Sequence, residues 1–273
     1  MNVADMTNPA ETKLYRITFS HSDFLRLPKE DQLFFIRLAH VTDDLRHVFY
    51  LCVTAERGTR SDSADERKLA LHQLLFGVRL IYSILHEGWR VIDSAWNGKA
   101  IGKQWNSRLS DDAKNGLAFL GKYFAQSNLS RTIRDHFGFH YLPDLLQEPL
   151  AHVSGRNDEI ITGRHSANIF YSFAEEIRAL AMLQTTRPPD ARKLWDDDAT
   201  EADIRAAAVT LYESFRPVRD AFDAFANNVL PQVVKSLPHK TQQFIPPRLI
   251  KFSEMSPALF VEEPSDKPTP KIP

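Results

Sequence analysis

The sequence predicts an all-α protein, a bundle of about five to six helices, and two observations carry that expectation. Only 10 glycines occur in 273 residues. Between them run long segments in which apolar residues recur every three or four positions, the period of one helix face. The 43% hydrophobic content supplies a substantial core and sets the body of the chain apart from disordered sequences.

The elements follow in order. Residues 1–27 read as an N-terminal lead, in which Leu14 to Phe19 alternates as a short strand or extended arm. A first helix is predicted from Pro28, a good first-turn residue, to about Glu56. Phe34, Leu38, Val41, Leu45, Val48, Phe49 and Cys52 fall along one side of it. The second helix, roughly Asp65 to Trp96, has the strongest stripe of the first half, from Leu71 through Tyr82 and Leu85 to Ile92, and Asn97-Gly98 stops it. A looser stretch with Ile101 and Trp105 leads to Ser110, an N-cap for a third helix ending near Ser127. A fourth begins at Asn128 or Ser130, and Pro143 and Pro149 are expected to end that helical run. Leu150 to Gly163 reads as an irregular insertion or small hairpin. A helix resumes at Asn168 and stops before Arg187-Pro188-Pro189-Asp190.

The last helix steps by alternating fours and threes through Ile204, Ala208, Leu211, Phe215, Val218, Phe222, Phe225 and Val229. That seam suits packing along another helix, within the chain's own bundle or at a subunit interface. Pro217 lies inside it and should kink it or mark a local break. Residues 237–273 read as a proline-rich, disordered tail.

Composition narrows the function. A net charge of -1 supplies no global field for a polyanion, so nucleic acid would need a local basic patch. The single cysteine, Cys52, allows no internal disulfide and fits a small core residue in a reducing compartment. No apolar run approaches a membrane span, and the first residues lack the regions of a signal peptide. A cytoplasmic protein without membrane contact is expected.

Chemistry concentrates in Arg134-Asp135-His136-Phe137-Gly138-Phe139-His140. Arginine is a permanent cation with a fork of donors suited to phosphate. Histidine exchanges protons near neutral pH. The surrounding segment, Asn128-Leu129-Ser130-Arg131-Thr132-Ile133 through Tyr141, resembles the signature of the HEPN superfamily (higher eukaryotes and prokaryotes nucleotide-binding domains). Those helical bundles carry arginine, a polar residue and, four to six positions on, histidine. Phe139-His140-Tyr141 resembles a bacterial subgroup with a Phe-His-Tyr ending, and Asn168 to Arg178 resembles its later aromatic-rich helix. The resemblance covers roughly residues 28–185, and residues 28–236 are expected to form the HEPN-like bundle.

The resemblance implies an endoribonuclease of toxin–antitoxin or abortive-infection type that uses no metal or other cofactor. Arg134, His140 and Asp135 would be its catalytic residues. The 2′-hydroxyl of RNA is the nucleophile. His140 would deprotonate it or protonate the leaving 5′-oxygen, and Arg134 would stabilise charge on the phosphoryl oxygens. Asp135 would orient a partner or His140. Asparagine usually stands at this position in the family, and aspartate adds a negative charge beside the incoming phosphate. Arg131, His136, Tyr141 and Lys122 are RNA-binding candidates, with Arg156, Arg164 and His165 as further basic neighbours.

On a straight α-helix, Arg134 and His140 would lie roughly 120° apart. Either the helix loosens at Gly138 or two copies each supply part of the site, so a homodimer with facing motifs is expected. An antitoxin protein is a further expected partner. The rival is a metal site built on His136 and His140, spaced i, i+4, with Glu87, Asp93 or the His40/Asp44/His47 set as third ligand. No Glu-x-x-His pair recurs, as a di-iron bundle would require. A non-catalytic helical protein binding a nucleotide or partner in the same cleft is the alternative from another class.

Overall fold

In the computed structural model the described residues are 14–138, 142–152, 160, 170–188, 190–196 and 199–244. They are largely all-α, as expected, with one small sheet. Strand β1 (Leu14–Phe19) and a one-turn helix α1 (His21–Phe24) precede the two long helices α2 (Lys29–Gly58) and α3 (Ala64–Ala95). Next come α4 (Ala100–Trp105), α5 (Asp111–Phe124) and α6 (Leu129–Ile133), the last continued by a π turn over Arg134–Gly138. Helices α7 (Pro143–His152), α8 (Ser172–Gln184), α9 (Glu201–Ser214) and α10 (Arg216–Lys235) lead to strand β2 (His239–Phe244).

These elements sort into two compact units, each assembled from separated stretches of chain. The first takes its described residues from 14–47, 83–130 and 215–244. Its core is Phe34, Leu38, Leu85, Ile92, Trp96, Leu120, Phe222 and Phe225, all buried. Trp96 packs edge-on against Phe225 with ring centroids 4.9 Å apart. Helices α5 and α10 approach so closely at Gly116 that a Cβ there would stand 2.6 Å from the Ala221 carbonyl oxygen. Strands β1 and β2 pair antiparallel, Leu14 opposite Phe244 and Phe19 opposite His239.

The second unit is drawn from 48–82 and 131–214. Leu74, Leu75, Val78 and Ile81 of α3 are buried in it, as are Leu180 and Leu183 of α8 and Leu211 of α9. The Tyr82 hydroxyl is paired with Ser214 Oγ at 2.6 Å. Cys52 is fully buried, and burial pushes its thiol up to about 12, so it is the inert core residue expected. A Cβ at Gly77 would stand 2.5 Å from Cys52 Sγ, which marks how tightly α2 and α3 pack there.

Several expectations hold. Ser110 caps α5 by accepting from the Ala113 N–H at 3.2 Å, and Gly98, with φ +71, follows the end of α3. Pro217 marks a real break: the continuous last helix is two, α9 and α10, with Phe215 at the junction. Ala208, Leu211, Phe215, Val218, Phe222, Phe225 and Val229 are all buried within the single chain. The seam therefore serves the protein's own core and is not available as a subunit interface.

Other expectations are corrected. Leu142 is non-helical, so the run does stop before Pro143, but Pro143 also opens α7, and Pro149 lies inside that helix instead of ending one. Proline's fixed φ and missing N–H cost nothing at a first helical position, where the N–H has no intrahelical partner. Leu150 to His152 complete α7, so the irregular insertion does not begin at Leu150; 153–159 and 161–169 lie outside the described residues. The segment read as tail opens with β2, whose sequence His239-Lys-Thr-Gln-Gln-Phe has no apolar alternation. The stretch holding Ile101 and Trp105 is the helix α4. Thr200 caps α9, accepting from the Asp203 N–H at 3.2 Å while Asp203 accepts from the Thr200 N–H at 2.8 Å.

One helix also corrects the statement about membrane spans. Within α3 an 18-residue window reaches a mean hydropathy of 1.3, long and apolar enough by length and composition to cross a membrane. In the structure 61% of that window is buried inside the protein.

Candidate functional site

The motif sits where α6 passes into the π turn. Ahead of it, Asn128 Nδ2 donates to the carbonyls of Tyr123 and Gln126 at 3.2 and 2.8 Å. The buried Ser130 exchanges hydrogen bonds with the Tyr123 hydroxyl, through Oγ at 3.1 Å and its N–H at 3.3 Å. These contacts fix the start of α6. Within the motif, Ile133 and Phe137 are buried and hold the inner face, while Arg134, Asp135 and His136 remain half-exposed.

A π turn closes its hydrogen bonds from i to i+5, so it packs more residues into a turn than an α-helix. Successive side chains therefore rotate by less than the 100° assumed for a straight helix. The widened segment ends at Gly138, the position at which the helix was expected to loosen. π turns cost regular backbone bonding and occur often at functional sites.

Arg79 supports this turn from α3. Its guanidinium donates to the Phe137 carbonyl at 3.2 Å in a buried bond, and it lies 5.2 Å from the Phe76 ring centroid. Arg79 itself is only 5% exposed. A buried cation is retained only where hydrogen bonds or partners offset its desolvation, and carbonyls near a helix C-terminus lack intrahelical donors. The sequence reading missed this residue. Its signal was a charge set inside the apolar run Leu74 to Leu85.

Asp135 joins the two motif arginines. Arg134 Nη1 lies 2.8 Å from Asp135 Oδ1, and Arg131 Nε lies 3.6 Å from Asp135 Oδ2. The side chains are 33% exposed at Arg134, 40% at Asp135 and 69% at Arg131. Asp135 thus pairs with both arginines; His140, which it was expected to orient, lies outside the described residues. His136 Nδ1 is buried and has no hydrogen-bond partner among the described residues.

His140 and Tyr141, and the basic neighbours Arg156, Arg164 and His165, lie outside the described residues. Lys122 is exposed on α5 in the first unit. Among the described residues, no group of three His, Cys, Asp or Glu is placed to hold a metal ion, and His40, Asp44 and His47 are exposed on α2.

In the second unit, burial pushes His72 of α3 below the ordinary imidazole range, opposed by the charge of Glu175. Around it Lys68 pairs with Glu176 at 3.7 Å and Arg178 pairs with Glu175. In the first unit a cleft of about 350 Å³ is lined by Trp89, Asn97, Asn106, Lys114 and Gly121.

No protein-family model, curated protein or solved structure matches the chain. The functional reading therefore rests on the motif and its geometry.

Proposed function

We propose that this protein is a metal-independent endoribonuclease of the HEPN kind, acting in phage defence, in a toxin–antitoxin pair or in a stress response. The supporting observation is Arg134: a half-exposed guanidinium on a π turn, already holding a carboxylate oxygen at 2.8 Å. Geometry that accepts a carboxylate in this way also suits a phosphoryl oxygen. Arg131, reaching the same carboxylate, supplies the local positive charge that a net charge of -1 withholds globally.

In this reading Arg134 binds the scissile phosphate and stabilises the charge that grows on its non-bridging oxygens. His140 takes the proton of the 2′-hydroxyl or delivers one to the leaving 5′-oxygen. The attack yields a 2′,3′-cyclic phosphate and a free 5′-hydroxyl. DNA has no attacking hydroxyl and is not cut. The active form is a homodimer with facing motifs in the cytoplasm, restrained by an antitoxin protein.

The Arg134–Asp135 pair also favours a second reading, in which the same fork binds a nucleotide or acidic partner without cleavage. One experiment separates the two. Cleavage of ribose-containing RNA by the full chain should disappear in both Arg134→Ala and His140→Ala, with cyclic phosphate on the wild-type products. Unchanged cleavage in both variants rejects the ribonuclease reading, and absence of cleavage with retained RNA binding favours the second.

A further inference from the structure

Asp135 pairs with two arginines at once. Its two carboxylate oxygens face different arginines, Oδ1 toward Arg134 Nη1 at 2.8 Å and Oδ2 toward Arg131 Nε at 3.6 Å. A phosphodiester presents the same chemistry: two non-bridging oxygens sharing one negative charge, at a spacing a guanidinium fork accepts. The three side chains lie within five residues, on α6 and the π turn, so nothing needs to fold to bring them together.

We propose that Asp135 is a built-in competitor for the phosphate: its carboxylate occupies the Arg134 guanidinium, and a phosphodiester binds there by displacing it. This deepens the reading of the motif as a phosphodiester site and rests on it. The charges decide the direction. Arg131, Asp135 and Arg134 together carry one net positive charge. Removing the carboxylate raises that to two and takes away its competition for Arg134 Nη1. Exposed ion pairs are weak, because water and salt screen them and two long side chains must be held still. A polyanion bringing several phosphates can therefore displace Asp135, whereas a single weak anion competes on nearly equal terms.

The competitor role makes a prediction opposite to that of an orienting role. If Asp135 positioned another group, its neutralisation would lower binding or activity. If it blocks Arg134, Asp135→Asn should raise both, since asparagine keeps the shape and removes the charge.

The test uses the full chain and an uncleavable probe, a fluorescein-labelled oligoribonucleotide with 2′-O-methyl groups throughout, followed by anisotropy at low salt. Asp135→Asn should bind about five-fold tighter or more, the scale of one weakly screened charge pair. Glu201→Gln, which removes an equally negative and more exposed side chain paired with Arg205, controls for bulk charge and should stay within about two-fold. The gain should vanish in the Arg134→Ala background, where Arg134→Ala/Asp135→Asn binds no tighter than Arg134→Ala alone. Urea unfolding of each variant checks that the fold is intact. Equal or weaker binding by Asp135→Asn, a gain that persists without Arg134, or no binding by any variant overturns the proposal. The all-ribose version of the probe keeps the two claims apart. Tighter binding by Asp135→Asn with no cleavage by any variant leaves the competitor in place and rejects the ribonuclease.

Discussion

The Arg79 guanidinium donates to the carbonyl of Phe137 over 3.2 Å, joining the middle of α3 to the π turn that carries Arg134. Methionine at position 79 would keep most of the aliphatic bulk and delete the donor. The Phe137 carbonyl would then stay buried with its Arg79 bond lost, a cost of about 1–3 kcal/mol. Arg79→Met should lower the urea midpoint accordingly and weaken RNA cleavage through displacement of Arg134. Arg79→Lys should recover part of the stability. An unchanged midpoint in Arg79→Met would show that the bond carries no weight.

The proposed facing-motif dimer predicts complementation between inactive chains. If one copy supplies Arg134 and the other His140, a mixture of Arg134→Ala and His140→Ala chains forms heterodimers with one intact composite site. Equal mixing should restore about a quarter of wild-type cleavage, half the dimers being mixed with one of two sites working. A site complete within one chain gives no recovery.

The packing of α5 on α10 predicts a steric phenotype within the first unit. At Gly116 an alanine methyl would meet the Ala221 carbonyl oxygen at 2.6 Å, and backbone cannot swing aside as a side-chain tip can. Gly116→Ala should destabilise by about 1–3 kcal/mol despite alanine's better helix propensity. Thermal unfolding would register this as a drop of a few degrees. A rise in Tm would mean that α10 shifts without cost.

Asp223 predicts a pH dependence. Burial raises its carboxyl from the usual range to about 6, with Arg219 opposing the shift and Asp220 adding to it. The folded state then binds the proton more tightly than the unfolded state, so stability falls as pH rises from about 4 to 6. The penalty of ionisation is complete above pH 6. Asp223→Asn should flatten that slope and match or exceed wild-type stability at pH 7. An identical slope in both proteins would place the effect elsewhere.

The long helices were legible because their stripes run for many turns, as from Leu71 to Ile92, and Ser110 was legible because a cap is a local rule. Elements whose stability comes from elsewhere in the chain left no such mark. β2 exists through pairing with β1, and α4 is too short for Ile101 and Trp105 to establish a period. Pro143 looked like a terminator because its helix-starting role depends on which side the helix lies. At the candidate site, the residue types in Arg134-Asp135-His136 were readable. The change from α to π bonding was not, since a wider turn alters hydrogen-bond partners without demanding particular side chains. Nor was Arg79, whose partner lies 58 residues further along.

The ribbon of β1 and β2 sets an order of events during synthesis. The Thr18 hydroxyl reaches the Lys240 carbonyl across 222 residues of chain. At ribosomal rates of about 5–20 residues per second, β1 leaves the ribosome roughly ten to forty-five seconds before its partner exists. Throughout that interval its backbone is an open edge that another nascent chain could pair with. Arg16 and Thr18 interrupt the apolar character of the strand and make such pairing less favourable. Closure of the ribbon is therefore a late step, and it reports that translation has passed residue 244.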